Sequence, residues 1–353
     1  MQRLNKIINK IKKVDYSLGE KTQKRLDNLT KPQGSLGRLE ELAKQIVEIT
    51  ENETPPIKDK VIFTLAGDHG VTEEGVSIYP KEVTAQMVYN FLKGGAGINV
   101  LARHIGARIV IVDMGVASDL KPHRQLVIKK INYGTKNMAK GPAMSRKEAI
   151  KSIEKGIEVF EEEFKKGIDV IGTGDMGIGN TTSSSAIASV ITGKSVEDMT
   201  GRGTGVDDNT LSHKIEVIKK ALRVNKPDRE NAIDVLSKVG GFEIGGLAGV
   251  ILGAASKRIP VVIDGFISGA SALIAYQLEP KVKNYLIAAH CSAEKGHKII
   301  LNYIGLDPLL NLNLRLGEGT GAALGIGIIE VSIKILTEMA TFQSASVSKR
   351  IKR

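Results

Sequence analysis

A chain of 353 residues, 42% of them hydrophobic, with 38 glycines and no tryptophan, has the size and composition to bury a large core and is not a disordered segment. Its single cysteine, Cys291, excludes an internal disulfide framework and a cysteine-based zinc site, and fits a reducing compartment. The formal net charge of +11 is concentrated at the ends, in Lys6, Lys10, Lys12 and Lys13 and in Lys349, Arg350, Lys352 and Arg353; with aromatics at 4% and no nucleic-acid module, such binding is not expected, although a positive field attracts anionic nucleotides.

The first residues lead into lysines, not an apolar signal core, so a cytoplasmic protein is expected. Ile7, Ile8, Ile11 and Val14 repeat at helical spacing, as do Leu36, Leu39, Leu42, Ile46 and Ile49, with Pro32 and Gly34 between them. A polar, proline-containing linker covers 51–56. Short, almost wholly apolar runs follow at 61–65, 108–112, 168–171, 260–263 and 285–288, the pattern of strands covered on both faces. Helical patterns lie between them: Ser145 with Glu148 forms a capping box opening a helix to about 164, 183–191 is a second helix, and 207–222 a third. The stretch 245–256 is the longest apolar run and is too short to span a bilayer, so no membrane span is expected. From about 300 helices return, 320–339 being the longest. The alternation predicts an α/β protein with a doubly wound, mostly parallel sheet flanked by helices. Ligands of such sheets lie beyond the C-terminal strand ends, where 67–69, 172–182, Asp264, Gly265 and His290 fall.

Two glycine-rich segments stand out. Gly172-Thr-Gly-Asp-Met-Gly-Ile-Gly-Asn-Thr-Thr182 follows a strand and precedes a helix, so its backbone N–H groups and the helix dipole suit an anion; such turns also merely close tight connections. Arg315-Leu-Gly-Glu-Gly-Thr-Gly-Ala322 flanks a carboxylate with glycines, and read alone Glu318 is equally a turn residue capping the helix that follows. Asp68, His69, Asp113, Asp264, His290 and His297 are scattered near strand ends without metal-ligand spacing; satisfied structural roles and no metal are expected. No G-x-G-x-x-G follows the first strand with an acidic residue about 20 further on, which argues against a dinucleotide oxidoreductase.

These segments, with Lys31–Gly37, Gly67–Val71, Glu74–Pro80, Val83–Met87, Gly134–Met138, Gly201–Gly205 and Val262–Phe266 in this order, resemble the nicotinate-nucleotide–dimethylbenzimidazole phosphoribosyltransferase family, which makes the lower-ligand nucleotide of cobalamin. One departure is Asp175, where the family usually has glutamate. The resemblance implies a large domain at 58–299, a small helical domain from 1–57 plus 300–353, a homodimer, and no cofactor. It implies nicotinate mononucleotide and 5,6-dimethylbenzimidazole as substrates, with nicotinate and α-ribazole 5′-phosphate as products. When the C1′–N bond breaks, the pyridine nitrogen leaves neutral and needs no general acid; no pyrophosphate departs, so no magnesium clamp is needed. The attacking imidazole must lose one proton, so one carboxylate base suffices. The resemblance makes Glu318 that base, with desolvation raising its pKa and Arg315 opposing the rise. It places phosphate and ribose on Gly174, Asp175, Gly177, Ile178, Gly179, Asn180, Thr181, Arg202, Gly203, Thr204, Gly205 and Lys214, although sequence alone reads Lys214 as an exposed helix lysine. It builds the acceptor pocket from Ser77, Tyr79, Pro80, Gln86, Met87, Arg315, Leu316 and Gly317. The competing readings are a metal-dependent phosphatase and a nucleotide-binding regulator without catalysis; adenine and phenolics compete with dimethylbenzimidazole as the acceptor.

Overall fold

The computed structural model describes residues 1–203 and 205–348; the expected phosphate contact Thr204 and the basic residues from Lys349 onward lie outside the described residues. Six strands form one sheet: β1 (Lys60–Gly67), β2 (Arg108–Gly115), β3 (Leu126–Ile128), β4 (Val170–Met176), β5 (Val261–Ile263) and β6 (Leu286–Ala288). Their order is β3-β2-β1-β4-β5-β6, and every pairing is parallel. The chain winds outward in one direction from β1 and in the other from β4, so the topological switch point lies between these two central strands.

Side chains along a strand alternate between faces, and each face carries its own core. Val61, Phe63 and Leu65 of β1 join a cluster with the helices Arg146–Phe164, Asn180–Thr192, Phe242–Ala255 and Phe266–Leu278. Ile62 and Ala66 join a second cluster with Arg38–Thr50, Glu82–Lys93, Gly97–Ile105 and Thr320–Glu338. The expected capping box forms: Ser145 Oγ accepts from the Glu148 amide at 3.2 Å, and Glu148 Oε2 accepts from the Ser145 amide at 2.8 Å.

The structure corrects several boundaries. β3 is an addition to the expected strands; three residues at a sheet edge, with Ile128 exposed, carry too little pattern to read. The first helix stops at Ile8, and Ile11 and Val14 are buried beyond its end. Residues 172–176 are not a loop but the second half of β4, and the following helix begins at Asn180 instead of 183. The apolar stretch at 245–256 belongs to the fully buried Phe242–Ala255 helix. Among the described residues one helix, Thr320–Glu338, has the length and mean hydropathy (1.5) to cross a membrane, which the sequence reading overlooked. Its buried face, including Ala322, Ile326, Ile329 and Ile333, lies in the second core against the sheet.

Candidate functional site

A cleft of about 440 Å³ opens beyond the C-terminal end of β4, beside the switch point, between segments that follow β1, β5 and β6. The turn after β4 forms one wall: Asp175, Met176, Gly177, Ile178, Asn180 and Thr181. The turn before the Thr320–Glu338 helix forms another, with Arg315, Leu316, Gly317 and Glu318. Tyr79, Val83 and Met87 close the side facing the Glu82–Lys93 helix. A small annex of about 30 Å³, sharing Gly177, Ile178, Asn180 and Thr181, reaches Ser77, Gly179, Arg202 and Lys214.

Glu318 owes its position to a strained turn. Gly317, Glu318 and Gly319 have φ of 81°, 64° and 100°, a left-handed run in which only the glycines are unstrained. Thr64 of β1 holds it by donating to the Glu318 carbonyl at 2.9 Å. The turn lies directly on β4: a Cβ on Gly174 would sit 2.2 Å from that carbonyl oxygen, so the strand needs glycine there. Glu318 is 4% exposed. Its Oε2 accepts from the Ile98 amide at 3.1 Å, in the first turn of the Gly97–Ile105 helix. Burial raises the Glu318 pKa; the Ile98 amide works against the rise, and the nearby Asp264 carboxylate adds to it. Arg315, expected to oppose this, instead donates from Nη1 to the Gly203 carbonyl at 3.0 Å. The alternative in which Glu318 caps the next helix is replaced by Asp264. Its carboxylate accepts from the Gly319, Gly321 and Ala322 amides at 3.1, 2.7 and 3.1 Å.

Lys214 is the largest departure from the sequence reading. It is 1% exposed, and its Nζ donates to Thr181 Oγ1 at 2.8 Å, with no carboxylate in ion-pair range among the described residues. Burial pulls its pKa from 10.5 down to about 8, with the Glu294 carboxylate working the other way. A buried ammonium with one neutral partner is a costly arrangement, and an anion in the annex would satisfy it. The backbone contributes less than expected. The Ile178 amide is taken by Thr84 Oγ1 at 3.1 Å and the Asn180 amide by the Gly177 carbonyl at 3.1 Å, whereas among the described residues the Gly179 and Thr181 amides have no such partner at the head of the Asn180–Thr192 helix. Arg202 lines the annex while donating to Val206 and pairing with Asp208.

Asp175 is buried beside the cleft. Asn180 Nδ2 donates to its Oδ2 at 2.9 Å, and its Oδ1 has no partner among the described residues. Burial and the surrounding carboxylates of Asp264, Glu243 and Glu318 push its pKa well up. The remaining expected residues fall elsewhere. Gly174 is inside β4, and Pro80, Gln86 and Gly205 are exposed outside both cavities. Phe266, Ile267, Ser292 and Glu294 line the cleft without having been expected there, alongside His290, which the sequence places at a strand end and reads as structural. Their shared signal is position: all follow the C-terminal ends of β5 and β6.

The scattered acids and histidines are tied individually. Asp68 accepts from the Ala117 amide at 2.7 Å, and Asp113 accepts from the Val116 amide at 2.9 Å. His69 lies between Ser183 Oγ (3.0 Å) and Glu243 Oε1 (2.6 Å), and His297 Nδ1 accepts from the Ser292 amide at 2.9 Å. Among the described residues no three His, Cys, Asp or Glu side chains are grouped to hold a metal ion.

Fold and cleft together define the class: an α/β protein with a parallel sheet and a cleft beside its switch point, where such sheets take their ligands. A family profile described as phosphoribosyltransferase matches residues 11–347. The nicotinate-nucleotide–dimethylbenzimidazole phosphoribosyltransferase of Desulforudis audaxviator is 57% identical over 349 residues, covering 99% of both chains. That of Geobacter sulfurreducens is 55% identical over 349 residues, again with 99% of each covered. The crystal structure of the Thermus thermophilus enzyme of the same name superposes with a TM-score of 0.89 at 38% identity, over 94% of this chain and 99% of that one. The chain belongs to this phosphoribosyltransferase family, as the sequence motifs implied.

Proposed function

We propose that the chain transfers the 5-phosphoribosyl group of nicotinate mononucleotide to 5,6-dimethylbenzimidazole, releasing nicotinate and forming α-ribazole 5′-phosphate. The names of its relatives support the reaction. The observation that carries it to particular residues is the pairing of two buried charges across one cleft: Lys214 at the annex and Glu318 at the opposite wall.

In this reading the phosphate enters the annex, against Lys214, the Thr181 hydroxyl and the Gly179 and Thr181 amides at a helix N-terminus. Gly177, Ile178 and Arg202 complete its walls, and Gly203 lies beside Thr181 and Lys214 on the cleft side. Asn180 and Asp175 face the ribose, and carboxyl oxygens and carbonyl dipoles near C1′ favour the oxocarbenium character of the transition state. The acceptor ring lies among Tyr79, Met87, Leu316 and Gly317, with Ser77 at the junction. Glu318, its proton affinity raised by burial, takes the proton from the imidazole nitrogen that does not attack. The C1′–N bond to the acceptor forms as that to nicotinate breaks, and the electron pair leaves on the pyridine nitrogen.

The same reading has the protein acting in the cytoplasm as a homodimer. Tyr79 and Leu316 line the cleft yet are 50% and 61% exposed, which supports a second copy covering its mouth. Nicotinate release, measured with EDTA present and with dimethylbenzimidazole, adenine or a phenol as acceptor, tests the reaction. Release that depends on the added base and matches the ribosylated product one for one is the expected result. Release without any acceptor would mark a hydrolase and reject the transfer.

A further inference from the structure

Glu294 contacts neither Glu318 nor the expected phosphate residues of the β4 turn, yet it organises the far side of the annex. It is 6% exposed and lines the cleft. Oε1 accepts from the Gly203 amide at 2.9 Å. Oε2 is buried with no hydrogen-bond partner among the described residues and lies against Gly201, where a Cβ would come within 2.2 Å. The carbonyl of Gly203 is held from the other side by Arg315 Nη1 at 3.0 Å. Gly203 itself has φ of 54° and packs on the annex, a Cβ there falling 3.0 Å from Thr181 Oγ1 and 3.3 Å from Lys214 Nζ. The Glu294 loop is in turn fixed to the segment leading into Glu318. The Ala293 amide donates to the Leu314 carbonyl at 3.0 Å, Ser292 Oγ donates to the same carbonyl at 3.1 Å, and the Glu294 amide donates to Ser292 Oγ at 3.2 Å.

We propose that Glu294 is a positioning residue for the donor phosphate: with Arg315 it clamps the Gly203 peptide from both ends, sets the 201–203 loop over Thr181 and Lys214, and places its carboxylate behind that loop. This rests on the reading of the annex as the phosphate subsite. Among the described residues the charge has no competitor near Lys214. On the same loop Arg202 is already paired with Asp208, and on the β4 turn the lysine meets only the Thr181 hydroxyl. On the Asp208–Asn225 helix, His213 is turned to the Glu74 carbonyl and Glu216 is paired with Lys219. Removing the Glu294 charge therefore lowers the Lys214 pKa further, and the lysine loses its proton at a lower pH.

Calorimetric binding of nicotinate mononucleotide from pH 6 to pH 9 tests this without relying on turnover. Glu294→Gln keeps an oxygen for the Gly203 amide and removes only the charge. It is expected to bind within about threefold of wild type at pH 6.5 and about tenfold more weakly at pH 8.5, a shift of roughly one pH unit in the alkaline limb. Glu294→Ala loses the amide partner as well and is expected to bind about tenfold more weakly across the range. A Glu294→Gln profile that overlays wild type overturns the proposal, as does an equal loss at every pH, which a purely structural role would give. Should Glu294→Ala fail to fold, the Gln variant alone decides. Wild-type protein that binds the nucleotide but never releases nicotinate would reject the transferase reading and leave the clamp standing. Wild-type protein with no affinity for the nucleotide would remove both.

Discussion

Lys214 sits where an amphipathic helix puts its apolar residues. Val217, Ile218 and Ala221 are the buried positions of the Asp208–Asn225 helix, and Lys214 occupies the preceding slot of the same i, i+3, i+4, i+7 stripe. That stripe was readable in the sequence and marks the lysine as inward-facing; composition-based expectation for lysine overrode it. Lowering its pKa from 10.5 to about 8 corresponds to a penalty of about 3 kcal/mol on the folded state, at ~1.4 kcal/mol per tenfold change in proton affinity. The penalty is fully present below pH 8, where both folded and unfolded chains carry the proton, and is relieved as pH rises toward 10.5. Lys214→Met is therefore expected to raise the melting temperature by about 2–4 °C at pH 7 while weakening nicotinate mononucleotide binding about 100-fold or more. Differential scanning fluorimetry and calorimetry read the two effects separately, and a variant that melts lower and binds normally contradicts the assignment. Glu318, by contrast, was legible as a candidate only through the family resemblance, since its flanking glycines read equally as a helix-capping turn. What those glycines do was not: they carry the left-handed turn that lays the carbonyl on β4 and the carboxylate on the Gly97–Ile105 helix.

β4 shows why element boundaries were harder than element identity. Glycine and aspartate are poor strand formers, so Gly172-Thr-Gly-Asp read as loop. They are strand residues because other elements lie on them: Ala322 and Ile326 over Gly172, and the Glu318 carbonyl over Gly174. The same logic governs the Phe242–Ala255 helix, legible only as an apolar run. A Cβ on Gly249 would sit 2.0 Å from the Ile153 carbonyl oxygen, and one on Gly156 would sit 1.9 Å from that of Gly246. The helices Arg146–Phe164 and Phe242–Ala255 thus touch backbone to backbone beneath the sheet. Gly249→Ala gains helix propensity but must push these backbones apart; a net loss of about 1–3 kcal/mol is expected from urea denaturation. A neutral result would mean that the two helices separate freely and that their close approach does not anchor the sheet.

Across the whole molecule, the parallel sheet, five of its six strands and a cleft at strand ends were readable because buried parallel strands are nearly all apolar and clefts of such sheets follow the switch-point rule. Of the loops after β5 and β6 only Asp264, Gly265 and His290 were placed by that rule; Phe266, Ile267, Ser292 and Glu294 join the cleft through a packing of distant segments that no local pattern encodes. One consequence is global. His297, buried behind the Ser292–Glu294 loop and facing His290, has its pKa pulled by burial from 6.5 down to about 3. It stays neutral in the fold while the unfolded chain takes up a proton below pH 6.5, so the stability it contributes is complete above that pH and is lost as pH falls. Stability is expected to drop by about 2 kcal/mol between pH 6.5 and 5 from this group, and His297→Asn should flatten that slope in chemical denaturation.

The proposed reaction depends on one carboxylate acting across the cleft from one anion cradle, and Glu318→Gln tests this most directly. With EDTA present, calorimetry should give nicotinate mononucleotide affinity within about twofold of wild type, while kcat for base-dependent nicotinate release falls about 10²–10⁴-fold. Wild-type turnover in Glu318→Gln, or nucleotide binding lost together with turnover, would contradict it.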